Sequence, residues 1–256
     1  MDKQTSSSAR VAWVTGASSG LGRGIAKRLA EKGWVVAASA RSAADLEVLA
    51  AEAAGRIKPF PLDVTDAAAC EGVARQIETE HGNIELAVLN AGSYFPTTAA
   101  SFSVENFRRT VDLNLMGTVN CMGAVVPGMV ARRSGHIAAM ASVAGFVGLP
   151  TAASYGATKA AINNMMTAFK PDFDQYGVTL TVINPGFVKT PLTNKNRFPM
   201  PFLMELDPAV DRIVDGLERK RFEITFPLPM AIGTRLMASL PKPLLFAITR
   251  RMLPRD

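Results

Sequence analysis

Between a short apolar run, Val11 to Val14, and an amphipathic stretch, Leu21 to Lys32, lies Thr15-Gly16-Ala17-Ser18-Ser19-Gly20-Leu21-Gly22. No other feature narrows the choice of fold as much. The apolar run reads as a buried strand and the stretch behind it as a helix closed by Gly33, so the glycines sit at a strand-to-helix turn. Glycine permits the tight turn and lets backbone N–H groups approach a pyrophosphate, with the positive end of the helix dipole behind them. An ordinary glycine-rich strand–helix loop has the same composition. The turn lacks the Gly-Lys-Ser/Thr ending of a nucleoside-triphosphate loop, which disfavours that class.

The rest of the chain repeats the strand-then-helix alternation. Strands are predicted at Trp34 to Ser39, Ile57 to Leu62, Ile84 to Leu89, His136 to Met140, Val178 to Ile183 and Phe222 to Phe226. Helices are predicted through Ala54, from a cap at Asp66 towards Glu80, and from a cap at Ser103 through Asn114 towards Ala131. A long helix spans Ala152 to Tyr176, with Pro171 expected to kink or end it, and another opens at an Asp207 cap with Pro208 in its first turn. Alternation of this kind predicts a parallel sheet, doubly wound and flanked by helices: an α/β fold in a single domain over residues 1–256.

Composition excludes several classes. The 256 residues, 48% hydrophobic and 20% charged, suit one globular domain. Cys70 and Cys121 are the only cysteines and lie far apart, which argues for a reducing compartment and against a disulfide framework. Two histidines without a ligand cluster predict no metal site. The polar, serine-rich Met1 to Arg10 lacks the apolar core of a secretory signal. No uninterrupted apolar run reaches the ~18 residues of a membrane span. A cytoplasmic location follows as the default. The net charge of +6 suits an anionic cofactor or surface, but no nucleic-acid-binding motif accompanies it.

Two further patterns carry chemistry. The second strand ends in Ala38-Ser39-Ala40-Arg41-Ser42, and the first acid is Asp45. An NAD-preferring protein usually places a carboxylate there for the ribose 2′-hydroxyl, whereas a guanidinium, helped by a hydroxyl such as Ser42, pairs with a 2′-phosphate. NADP(H) is therefore the preferred cofactor and NAD(H) the alternative; Arg41 as a solvated loop charge is the plain reading. Tyr155 and Lys159, four residues apart, share a helix face, with Ser142 thirteen residues earlier at a strand end and Asn114 further upstream. A carbonyl that accepts hydride needs a proton donor of suitable pKa. Bringing a phenol from ~10 to ~7 takes about 4 kcal/mol. A cation ~4 Å away supplies about that at an effective dielectric of ~20.

Taken together, these motifs resemble the short-chain dehydrogenase/reductase family over roughly Val11 to Phe226: a TGxxxGxG turn, Asn90-Ala91-Gly92, the ordered Asn114, Ser142, Tyr155 and Lys159, and Pro185-Gly186 after the sixth strand. Leu89 stands where many members carry a second Asn, and Ser19 where many NADP-preferring members carry Arg or Lys. The resemblance implies a Rossmann fold and a nicotinamide-dependent oxidoreductase. It implies that Gly16, Ser18, Ser19, Gly20, Leu21 and Gly22 line the cofactor phosphates, that Asp63 and Val64 meet the adenine, and that Asn90, Ala91 and Gly92 lie by the ribose. It further implies Tyr155 as acid/base, Lys159 as the cation that lowers its pKa and holds the ribose, Ser142 on the substrate oxygen, and Asn114 holding a water. Pro185, Gly186, Val188 and Thr190 would position the nicotinamide. Gly24 is assigned to close helix–sheet packing. Homodimers or homotetramers packed through the Tyr-bearing helix are common in the family.

Substrate-facing segments are largely apolar: Tyr94, Phe95, Val143, Phe146, Val147, Leu149, Phe187, Phe198, Met200 and Phe202, with Lys189, Lys195 and Arg197 spread among them. They favour a small-molecule substrate, a hydrophobic ketone or secondary alcohol. Residues 227–256 form an apolar, basic extension that Pro241 and Pro243 divide into two short helices. It reads either as a cap over the substrate site or a subunit interface, the preferred reading, or as a peripheral membrane element. Functional alternatives are an NAD-dependent alcohol dehydrogenase and a non-catalytic cofactor sensor.

Overall fold

In the computed structural model, which describes residues 10–195 and 199–253, strand β1 (Val11–Thr15) is buried along its whole length. Its side chains alternate between two cores, as the two-residue period of a strand requires. Ala12 and Val14 face α1 (Gly20–Glu31), α2 (Ala43–Ala51) and α7 (Leu206–Glu218) through Ile25, Leu29, Leu46, Val210 and Ile213. Val11 and Trp13 face α3 (Ala67–His81), α5 (Gly117–Ala131) and α6 (Ala153–Gln175) through Ile77, Val125, Met129, Ile162 and Met166. Trp13 is fully buried, and its indole N–H donates to Ser39 Oγ at 2.9 Å.

The other strands are β2 (Val35–Ser39), β3 (Ile57–Pro59), β4 (Ile84–Leu89), β5 (Gly135–Met140), β6 (Val178–Pro185) and β7 (Glu223–Phe226). Among the described residues they form one parallel sheet in the order β3-β2-β1-β4-β5-β6-β7. The strand order reverses between β1 and β4, and ligands of such sheets bind in the crevice beyond the strand ends at that switch point. The α/β, doubly wound architecture is the one expected.

Several local expectations need correction. The third strand ends at Pro59, although Phe60 N and Leu62 N still donate to Ala38 O and Ala40 O. The helix expected from Ser103 is interrupted: α4 (Val104–Val111) passes through a π segment, Asp112–Met116, before α5. Asp207 lies in the first turn of α7 rather than at its cap, because the chain turns helical at Leu206 directly after extended Glu205. Pro171 neither ends nor divides α6, which runs on to Gln175 with Met166 and Phe173 buried on either side of the proline. Gly24 packs against a helix, not the sheet: a Cβ there would lie 2.5 Å from Val210 Cγ2 on α7. The caps at Ser42, Asp66 and Ser103 are made, each accepting the backbone N–H three residues on.

The continuous helical run Val104–Ala131 is long and apolar enough, by length and composition, to span a membrane. Here its buried residues, Cys121, Met122, Val125 and Met129 among them, belong to the core that α3, α6 and the sheet also form. The extension divides as expected into α8 (Leu228–Ser239) and α9 (Lys242–Arg250), entered through a cis Phe226–Pro227 peptide bond.

Candidate active site

The glycine turn is latched to the neighbouring strand. Asn90, just beyond β4, donates through Nδ2 to Thr15 O at 3.0 Å and Gly16 O at 3.3 Å. Thr15 Oγ1 accepts the backbone N–H groups of Asn90 and Ala91. This closeness leaves no room for side chains. Gly16 has φ +66°, and a Cβ on Gly22 would lie 2.2 Å from Gly16 O and 2.4 Å from Asn90 Nδ2. Helix α1 begins at Gly20 with Ser19 at its N-cap, and no side chain caps its first N–H groups. Those donors, the tight backbone and the dipole make a cradle suited to a phosphate group.

Across the switch point a cavity of about 440 Å³ runs from this turn to the ends of β5 and β6. Gly16, Ser19, Gly20, Leu21, Asn90 and Gly92 line one end. Ser142, Tyr155, Lys159, Pro185, Gly186, Val188 and Thr190 line the rest, together with Tyr94, Leu149 and Phe187. Gly20 and Thr190 face each other closely, since a Cβ on Gly20 would lie 3.4 Å from the Thr190 side chain. Among the described residues that line it, Lys159 is the one charged side chain. Ser18, Gly22, Arg41, Asp63, Val64, Ala91 and Asn114 lie outside that lining.

Tyr155 and Lys159 project from the first turns of α6. Lys159 is 3% exposed, and its ammonium donates to Met140 O at 2.6 Å. Burial pulls its pKa from 10.5 down to about 8. The ammonium lies 5.5 Å from the centre of the Tyr155 ring. Burial raises the Tyr155 phenol above its ordinary value; a side-chain hydrogen bond with Ser142 pulls the other way, and neighbouring Tyr94 adds to the rise. Burial is the largest influence on the phenol, and the Lys159 ammonium is engaged by the Met140 carbonyl. Ser142 Oγ donates to Pro185 O at 3.3 Å and accepts from Ala144 N at 3.1 Å, holding the hydroxyl at the end of β5.

Asn114 is held from several sides. Its Oδ1 accepts from Ser93 N at 2.8 Å, and its Nδ2 donates to Ser93 O and Thr158 Oγ1. Its backbone carbonyl accepts from Thr118 Oγ1. Fully buried within the π segment, it ties the loop after β4 to α6. Arg41 and Asp63 stand at adjoining strand ends. Thr65, first through its backbone, holds the Asp63 carboxyl below its ordinary value, and Arg41 contributes a weaker attraction. Val64 O accepts from Asn120 Nδ2 at 2.9 Å. Ser42 Oγ accepts from Asp45 N as the α2 cap, which leaves its proton to donate elsewhere.

Of the further contributors, Tyr94 and the C-terminal extension were expected near the substrate, whereas Asn163 carried no sequence signal. Tyr94 packs edge-to-face on Tyr155, centroids 5.5 Å apart, and is anchored by its hydroxyl to Thr151. Asn163 donates to Lys159 O and accepts from Asn184, linking α6 to β6. Met230, Gly233 and Met237 of α8 wall the cavity. Lys189 instead pairs with Glu205 on the surface. Arg197 and Phe198 lie outside the described residues, as does the side chain of Lys195.

Known proteins agree with this geometry. The sequence profile of the short chain dehydrogenase family matches residues 10–200. An uncharacterised oxidoreductase of Myxococcus xanthus is 43% identical over 95% of this chain and 97% of its own. A 3-oxoacyl-(acyl-carrier-protein) reductase of Thermotoga maritima is 31% identical over 73% of this chain and 77% of its own. A short-chain dehydrogenase from Streptomyces avermitilis superposes with a TM-score of 0.81 at 24% identity, covering 96% of this chain and 95% of its own. An alcohol dehydrogenase of Thermococcus sibiricus, solved with 5-hydroxy-NADP, gives 0.76 at 25% identity over 85% of this chain and 96% of its own. The profile match over most of the chain and the extent of these likenesses show that the chain belongs to the short-chain dehydrogenase/reductase family and is an oxidoreductase.

Proposed function

We infer that the protein is an NADP(H)-dependent oxidoreductase that moves a hydride between nicotinamide and the carbonyl or secondary alcohol of an apolar substrate. The observation that carries this reading is the convergence of Ser142, Tyr155 and Lys159 on one cavity whose far end is the Gly16–Gly20 turn. The residues fit a dinucleotide: the turn excludes any Cβ at Gly22, and the first N–H groups of α1 have no side-chain cap. Arg41, with no carboxylate at the end of β2, supports a 2′-phosphate, and a structural relative was solved with 5-hydroxy-NADP.

Nicotinamide, when bound, supplies or accepts the hydride. The chain's own residues handle the proton. Tyr155 donates its Oη proton to the carbonyl oxygen as charge develops there, and takes one back from an alcohol in the reverse direction. Ser142 donates a hydrogen bond to the same oxygen. Lys159, with a pKa of about 8, keeps its charge at neutral pH and stabilises the phenolate that Tyr155 leaves. The apolar lining favours an uncharged, hydrophobic ketone.

The same reading takes the chain as a single domain and as a homo-oligomer. Exposed Phe169 and Tyr176, beside an apolar groove between α5 and α6, support the latter. NADPH and NADH turnover over a panel of apolar ketones tests the cofactor and substrate assignments. Tyr155→Phe should lower kcat by about 10²–10⁴ with cofactor binding intact. Retained turnover in that variant refutes the role of Tyr155.

A further inference from the structure

Residues 227–253 contain four cations, Arg235, Lys242, Arg250 and Arg251, and no Asp or Glu. Two opposite stripes of α8 are apolar. Met230, Gly233 and Met237 face the cavity, while Leu228, Ile232 and Leu236, four residues apart, are 64%, 50% and 62% exposed. A surface helix ordinarily turns polar residues outward. The exposed apolar surface continues through Leu244 and Phe246 on α9 to Met252 and Leu253, and Met252 also lines the cavity. Arg235 pairs with Glu223 and lies over the Phe146 ring. Among the described residues, no ion pair engages Lys242, Arg250 or Arg251.

Apolar side chains rimmed by uncompensated positive charge match an anionic bilayer surface, where the former enter the headgroup–acyl boundary and the latter meet lipid phosphates and carboxylates. Helices of 12 and 9 residues are too short to span it, so they would lie in its plane. A second copy of this chain is a poorer occupant. A two-fold contact through this face would set cations against cations on two molecules each of net charge +6.

We propose that α8 and α9 dock the protein on the surface of anionic lipid bilayers, so that one helix separates the membrane from the cavity and an apolar substrate enters from lipid along α8. The route of entry rests on the oxidoreductase reading; the docking does not. Vesicle binding is therefore measured without turnover, and either can fail alone.

The test is flotation of the full chain with vesicles of phosphatidylcholine alone and with about one-third phosphatidylserine. Wild type should float with the anionic vesicles and not the neutral ones, and raised salt should release it. Lys242→Ala and Arg251→Ala should each weaken binding about fivefold. Ile232→Glu/Leu236→Glu should abolish it with circular dichroism unchanged. Absence of wild-type binding, equal binding to both vesicles, or undiminished binding by the charge variants overturns the proposal. So does a dimer in sedimentation velocity that Ile232→Glu/Leu236→Glu dissociates while wild type ignores vesicles.

Discussion

Replacing Lys159 by Met should make the protein more stable at neutral pH while destroying its turnover. Lys159 is 3% exposed, and burial lowers its pKa from 10.5 to about 8. That shift corresponds to about 3 kcal/mol by which the folded state disfavours the charged amine. Methionine keeps the stem and removes the charge. Against the gain stands the hydrogen bond to Met140 O, whose loss returns about 1–2 kcal/mol. A net stabilisation of about 1–2 kcal/mol at pH 7 follows. Below pH 8 both folded and unfolded chains hold the proton, and the full cost is present. Between pH 8 and 10.5 the unfolded chain keeps a proton that the folded chain has released, so wild type gains stability as pH rises. By about pH 9.5 it should have recovered about 2 kcal/mol, and the advantage of Lys159→Met should have vanished. Urea unfolding of both proteins at the two pH values measures this directly, because other titrating groups cancel in the difference. A gap between the two proteins that does not change with pH refutes the reasoning.

Gly22→Ala should weaken cofactor binding sharply and cost about 1–3 kcal/mol, because its Cβ would meet the Gly16 carbonyl and the Asn90 amide; isothermal titration and thermal melts check both. Arg41→Ala should raise the NADPH Kd roughly tenfold and leave NADH binding unchanged, as fluorescence titration would show. His136, buried against Thr181 Oγ1, has a pKa lowered to about 4, chiefly by burial. The unfolded chain takes up that proton below pH 6.5 while the folded chain refuses it until about 4, so stability should fall by about 3 kcal/mol across this window. In denaturant titrations His136→Gln should flatten that slope.

Much of this architecture is legible in one dimension, because short-range patterns encode it. Apolar runs broken by helical periodicity place the strands and helices, and the strand-to-helix glycines place the turn at the end of β1. Tyr155 and Lys159 share a face through the pitch of one helix, so their pairing needs no tertiary information. Ser142 was reachable through its position at a strand end. What stayed hidden depends on partners distant in sequence. Gly24 is small because Val210 of α7 crosses it, and Asn114 is occupied because the Ser93 backbone and Thr158 reach its amide. Spacing gives no hint of the π segment that buries Asn114, whereas the apolar extension already pointed to α8 beside the cavity. The direction of the Tyr155 pKa is the clearest case. Sequence supplies the nearby cation, but the balance between attraction and desolvation depends on how much protein surrounds both groups, and only packing sets that.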